Sequence, residues 1–358
     1  AALVVAVRLP LWLLPGPGRD EAAYHYWAHH PEPSYAPLLQ IAVRLGEFVA
    51  GHSLWALRAP VLILGILIIW LNDRRLHGSQ SSVPMRWLAA AAVVCSPWQN
   101  FAGSILHPDN FMLASLLALV WAVQSNRLWL ATLSTICAVL AKPTGVLFLP
   151  VTWWLFNYIP GYAPRHIAGA RAALILTALA FALTMKPDMI TGLADFGHLS
   201  PTLSWFARLS AAAGSLLFLG GPVLVGLAWL GASQRWHDLR EGTDGPRQQE
   251  ARASLAAAGV MLVVFLSAAL LRGQFKGNWV LPALVLLWPT RFSGWSASPL
   301  TRRLLIATVA LTFLTSAGQT VAMARPDLIA RLEEYLIARD AVPKWIAYET
   351  QAGVREIA

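Results

Sequence analysis

Residues 15–39 read PGPGRDEAAYHYWAHHPEPSYAPLL, and this stretch decides how the rest of the chain is understood. It follows the apolar run 1–14 and sets the adjacent acids Asp20 and Glu21 a few residues beyond it. Three histidines (His25, His29, His30), four aromatics (Tyr24, Tyr26, Trp27, Tyr35) and Pro31, Pro33 and Pro37 complete it. An Asp at the centre of a membrane helix costs about 2.5–3.5 kcal/mol on insertion scales, so ionisable groups this close to hydrocarbon call for a functional explanation. The remainder reads as a scaffold that holds this loop at one membrane face.

That scaffold is legible in composition. The chain is 57% hydrophobic and 13% charged, with 17 Trp in 358 residues. Soluble domains carry roughly 25% charged residues, so a polytopic membrane protein is expected. Apolar runs at 1–14, 55–72, 86–105, 111–124, 128–141, 144–158, 170–185, 210–232, 254–271, 279–290 and 303–322 are each read as a crossing. They give an all-α integral membrane fold of about 11 transmembrane helices. Pro143 and Gly145 argue for a break between 128–141 and 144–158. The first run reads as a transmembrane helix rather than a signal peptide, because no basic n-region or small-residue cleavage site accompanies it. Trp55, Trp70, Trp87, Trp129, Trp279 and Trp288 fall near run ends, as an interfacial aromatic belt requires. Cys95 and Cys137 lie inside apolar runs and give no disulfide or metal pattern.

The net charge of +9 is resolved by topology. With a cytoplasmic N-terminus, the inner loops carry Arg74, Arg75, Arg86, Arg127, Arg165, Arg171, the run from Arg235 to Arg252, Arg291, Arg302 and Arg303. The outer loops are poorer in basic residues, although the long 15–54 loop is among them. The positive-inside rule therefore puts 15–54 outside the cytoplasm and makes the basic groups orientation signals, not a nucleic-acid surface. Loop 233–253 mixes both signs and reads as a solvated connector. LLQIAVRLGEFVAG (38–51) reads as an interfacial amphipathic helix with Arg44 and Glu47 as partners. The transmembrane domain is taken as 1–322, and 323–358 as a short extracytoplasmic helical tail.

Four outer features converge: Asp20-Glu21; His107-Pro108-Asp109-Asn110; Lys142 in AKPTG; and the cations Arg58, Arg272 and Lys276. A carboxylate can take a proton from an acceptor hydroxyl, and cations can receive a leaving phosphate. Lys meets phosphate as a point charge and Arg as a bidentate fork. Each feature has a plainer reading. Asp20-Glu21 can be a solvated pair, Asp109 an N-cap and Lys142 an interface anchor. The histidines read as interface residues without tight ligand spacing; a divalent metal held by Glu21, Asp109 and His107 stays open.

These residues resemble the GT-C glycosyltransferases, in particular the branch of protein O-mannosyltransferases and lipid A aminoarabinose transferases. Asp20-Glu21 with Tyr24, Tyr26, Trp27, Tyr35 and Pro37-Leu38 is similar to that family's first outer loop. LRAPVLILG (57–65), SPWQNFAGSILHPDN (96–110), LAKPTGVLFLP (140–150) and KGNWVLPALVLLWP (276–289) resemble its later segments in order. The family's double proline is Ala36-Pro37 here, and the Thr before its Pro-Asp is His107.

The resemblance implies a polyprenyl-phosphate-linked sugar donor and an acceptor that is a lipid, glycan or protein. It implies inverting transfer at the extracytoplasmic face of a bacterial plasma membrane. By resemblance Asp20 is the catalytic carboxylate, Glu21 its neighbour, Asp109 the second acid and Lys142 a phosphate contact. Arg58, Arg272 and Lys276 join Lys142, while Tyr24, His25, Tyr35 and His107 line the substrate loop. The rival reading is a transporter or lipid flippase. Transporters place charges near the midplane of related halves, whereas here the acids cluster at run ends and no repeat is present.

The topology is testable in sealed cells. In a chain whose native cysteines are replaced, Glu32→Cys is expected to react with an impermeant thiol reagent from outside and Asp244→Cys is not. Outside labelling at 244 overturns the orientation.

Overall fold

The computed structural model describes residues 19–30, 36–77, 106–184, 204–241, 245–272 and 279–289, with isolated positions between 83 and 103 and between 299 and 331. The run 1–14, most of 86–105, most of the 186–209 loop, more than half of 303–322 and almost all of the tail lie outside the described residues. So do Tyr35, Lys276 and the side chains of Asp20 and Arg272.

Among the described residues every regular element is helical: α1 (Arg19–His29), α2 (Pro37–Ala50), α3 (Leu54–His77), α4 (Pro108–Gln124), α5 (Leu128–Ala141), α6 (Phe148–Leu155), α7 (Pro164–Thr184), α8 (Trp205–Glu241), α9 (Pro246–Arg272) and α10 (Leu281–Leu286). Among the described residues three helices are long and apolar enough to cross a membrane: Trp55–His77, Pro164–Thr184 and Pro246–Leu271. Leu128–Ala141 is a shorter apolar helix. The core runs through α4, which packs on α3, α5, α9 and α10 and is buried along nearly its whole length.

Two expected crossings take other forms. Residues 144–158 are no single helix: a 3-10 turn over Pro143–Leu147 leads into α6, and a second covers Phe156–Tyr158. Pro143 and Gly145 impose the tight entry, and Thr135 and Thr152 share a 2.6 Å hydroxyl bond that fastens α6 to α5. Run 279–290 holds only the six-residue α10. Trp288 beyond it is buried rather than part of an interfacial belt, whereas Trp55, Trp70, Trp87 and Trp129 are exposed.

α10 also explains why 233–253 is not a solvated connector. The last carbonyls of a helix have no intrahelical donor. Arg75 of α3 donates to the carbonyls of Leu286 (3.0 Å) and Val285 (3.4 Å), and Arg235 of α8 donates to that of Leu287 (2.9 Å). Glu250 of α9 balances these charges, accepting from Arg235 Nη2 at 2.8 Å and from Ser254 Oγ at 2.9 Å. Arg75, Arg235 and Glu250 are all buried, so the mixed charges of this segment close one end of the bundle. At the same end Gln249 donates to Asn126 Oδ1 (2.8 Å) and the Tyr158 carbonyl (3.1 Å), gripping the α4–α5 turn.

At the opposite end, the described residues of the 15–54 stretch form two helices, α1 and α2. α2 matches the expected amphipathic segment within a residue and buries Leu39 and Val43 while Phe48 and Val49 stay exposed. Pro37 suits its first turn because the missing N–H would have no partner there. Ala36 precedes it at φ +45°, a backbone angle that proline cannot adopt. A second proline before Pro37 would therefore not fit this turn. Arg44 and Glu47 are not partners: Arg44 Nε donates to the Ala28 carbonyl at 2.7 Å and so ties α2 to α1.

Gly46 lets α2 close on α3. A Cβ there would lie 2.0 Å from the Ala56 carbonyl oxygen. That carbonyl would ordinarily accept from residue 60, but Pro60 has no N–H to give. Gly46→Ala forces the helices apart and is expected to cost about 1–3 kcal/mol. The measurement is the melting temperature of the purified protein in detergent, and an unchanged value contradicts this close approach.

Candidate functional site

The site starts at the first turn of α1. Glu21 is fully buried and accepts from Arg58 twice, Nε to Oε1 at 2.9 Å and Nη2 to Oε2 at 2.7 Å. Arg58 is 1% exposed and lies in the second turn of α3. Oε1 also accepts the backbone N–H of Leu106 at 3.1 Å, which fixes the segment entering α4. One carboxylate therefore joins three parts of the chain that are far apart in sequence. A buried charge is tolerated when a fork of donors and a further hydrogen bond satisfy it, and this one has both.

The segment held by that bond carries the second acid. His107 caps α4 by accepting the Asp109 amide on Nδ1 at 3.2 Å, so the cap is His107 and Asp109 sits inside the first turn. In the neutral ring the proton is then on Nε2. The Asp109 carboxylate takes the Lys142 ammonium at 2.7 Å, and His107 Nδ1 lies 3.5 Å from its other oxygen. Lys142 stands in extended backbone between α5 and the 3-10 turn. Gly145 makes this corner possible: a Cβ there would meet the Ala138 carbonyl oxygen at 2.0 Å. Lys142 is part-buried, and an ammonium has three N–H groups, of which Asp109 engages one.

Of the expected features, Glu21, Arg58, Asp109 and Lys142 lie at one end of the bundle, where α1, α3 and α4 begin and α5 ends. Each described cation lies directly against a carboxylate, Arg58 against Glu21 and Lys142 against Asp109, rather than across a vestibule from it. A divalent ion on Glu21 or Asp109 would compete with these cations for the same lone pairs. The Asp20 backbone lies in α1 next to Glu21. Tyr24 is buried one turn further on and packs against Trp27, ring centroids 5.7 Å apart.

Sequence reasoning missed a cluster beside this site. His25 Nε2 lies 2.8 Å, His29 Nε2 3.2 Å and His52 Nδ1 3.3 Å from Glu47 Oε1. His25 is expected in the substrate loop and instead faces Glu47. Burial acts to raise the Glu47 pKa, but hydrogen bonds from His29 and His52 and the attraction of His29 and His25 outweigh it, and the net shift is downward. The local signal was the four-residue spacing of His25 and His29, which puts both on one helical face.

No family description matches the sequence, and no curated protein matches it. Its fold matches crystal structures of ArnT from Cupriavidus metallidurans. With ArnT bound to undecaprenyl phosphate the match covers 94% of this chain and 72% of that one, at TM-score 0.54 and 16% identity. With apo ArnT it covers 94% and 64%, at TM-score 0.50 and 17% identity. At these identities the likeness establishes the fold, and the chain shares the ArnT architecture over nearly all of its length.

The Glu21–Arg58 pair sets a stability test. Arg58→Met strands a buried carboxylate and is expected to cost about 3–5 kcal/mol, whereas the Glu21→Gln/Arg58→Met double variant recovers most of that. Melting temperatures in detergent decide. Equal losses in the single and double variants contradict a direct pair.

Proposed function

We propose that this chain is a GT-C membrane glycosyltransferase that moves a sugar from a polyprenyl-phosphate donor to a lipid, glycan or protein acceptor at the extracytoplasmic face. The carrying observation is that Glu21, Arg58, His107, Asp109 and Lys142, chosen for the order of their motifs, share one end of an ArnT-like bundle. The neighbouring fold bound to undecaprenyl phosphate supports the donor class. An outer-facing site also needs a lipid-borne donor, because soluble nucleotide sugars are made in the cytoplasm.

The reaction is an in-line displacement. The acceptor oxygen attacks the anomeric carbon, its proton passes to Asp20, and the bond from that carbon to the phosphate oxygen breaks with inversion. The polyprenyl phosphate leaves as an anion and needs no general acid. Lys142 meets its charge, held in place by Asp109, with Arg272 and Lys276 as further cations. Glu21 and Arg58 act through position: they fix the first turn of α1, and with it Asp20, against the start of α4. Tyr24, Tyr35 and His107 contact the sugar. No step is assigned to a metal.

General-base help is worth about 10²–10⁴-fold, so Asp20→Asn is expected to lose that much turnover with purified enzyme, lipid-linked donor and acceptor. Glu21→Gln and Asp109→Asn, compared at matched stability, are expected to lose less. Lys142→Ala is expected to weaken donor binding by about 1.5–3 kcal/mol. Because it also strips Asp109 of its partner, Asp109→Asn is the reference for that comparison. Near-normal turnover in Asp20→Asn ends the assignment, and no turnover in the wild type with any lipid-linked sugar, alongside lipid or solute movement, favours the transporter reading.

A further inference from the structure

The Glu47 cluster is built from three separate segments. His25 and His29 share one face of α1, Glu47 lies in the last turn of α2, and His52 follows the Gly51 turn that leads into α3. Gly51 has φ +66°, which glycine adopts without strain, and this turn returns the chain so that His52 reaches the group. Imidazole rings of His25 and His29 are 4.8 Å apart, and those of His29 and His52 6.0 Å apart. One ligand atom from each of the four residues falls within 4.8 Å of the others. His30 belongs to another face of α1: its ring stacks on Tyr26 at 4.3 Å and its Nδ1 sits 3.2 Å from the Tyr26 carbonyl.

Three imidazole nitrogens from three segments converge on one carboxylate: His25 and His52 on Oε1 of Glu47, and His29 between Oε1 at 3.2 Å and Oε2 at 3.1 Å. All three rings are partly exposed and could bond water instead, yet each faces this group. The Glu47 side chain is 8% exposed, enclosed by rings that converge on it. A tetrahedral centre with bonds of roughly 2.0–2.1 Å has ligand separations near 3.3 Å, which small rotations of these rings would reach.

We propose that His25, His29, Glu47 and His52 form a binding site for one divalent ion of the zinc class. Imidazole suits zinc and its late first-row neighbours, whereas magnesium and calcium prefer all-oxygen sets. Four protein ligands leave no open position, so the ion is structural and not a catalytic centre. It staples α1 to α2 and to the start of α3, one helical turn from Glu21. Any effect on turnover through Asp20 rests on the transferase reading; ion binding does not.

The test uses the full chain, purified without a polyhistidine tag, stripped with chelator and titrated with Zn²⁺. One ion per chain is expected to bind and to raise the melting temperature, and X-ray absorption at the zinc edge is expected to report nitrogen and oxygen ligands without sulfur. Outer-shell changes at metal sites already cost about 10–100-fold in affinity, so removing a ligand by His29→Ala or Glu47→Gln is expected to cost at least about 100-fold. His52→Ala, at an exposed turn, gives a ligand deletion that leaves the helices intact. His30→Ala is expected to bind as the wild type does. Binding that is absent in the wild type, or equal in the wild type and in His52→Ala and Glu47→Gln, overturns the site. Tight binding with no turnover on lipid-linked sugars would leave the site standing and remove only the transferase reading.

Discussion

A carboxylate with no access to solvent must be met by charge and by hydrogen bonds, and Glu21 is met by both. The Arg58 fork and the Leu106 amide satisfy its lone pairs from two different parts of the chain. Because neither partner can leave without stranding the other, the start of α1 is locked to α3 and to the entry of α4. Asp20, the residue just before Glu21 in α1, takes its backbone position from this lock. The Asp109–Lys142 pair repeats the principle one layer over, joining the start of α4 to the end of α5. The candidate site is braced by these two charge pairs.

The far end of the bundle solves a related problem. There the groups to be satisfied are the carbonyls of Leu286 and Leu287 at the end of the short helix α10, and Arg75 and Arg235 supply the donors. Glu250 between them offsets two buried guanidinium groups. Arginine suits this task because one planar fork can serve a carbonyl and a carboxylate together. Aromatic faces take several remaining cations at this end, Arg127 over Trp121 and Arg252 over Tyr158 among them. One end of the molecule uses paired charges to join the starts of its helices, and the other uses them to close helix ends.

Between Ala36 and Gly51 the chain is almost entirely helical. α2 exposes Phe48 and Val49 on one side and buries Leu39 and Val43 on the other. That division suits a helix lying along an apolar surface. Gly46 brings it within touching distance of the Ala56 carbonyl, so α2 is part of the bundle.

The sequence by itself determined the class of the protein and the positions of most of its helices. Hydrophobic runs, prolines and helix-period patterns are local, so α2, α3, α5 and α9 could be placed without knowing what they touch, and the broken helix at Pro143 was legible for the same reason. The order of the acidic and basic motifs was enough to imply the ArnT-like fold. Tertiary structure alone decided the partners. Glu21 and Arg58 are 37 positions apart, and Asp109 and Lys142 33 apart. Nothing local in either segment distinguishes a cation waiting for phosphate from one already holding a carboxylate. The same holds for the buried Arg235 and for His52 beside Glu47. Pairing energy depends on distance and burial, which chain order does not encode one residue at a time.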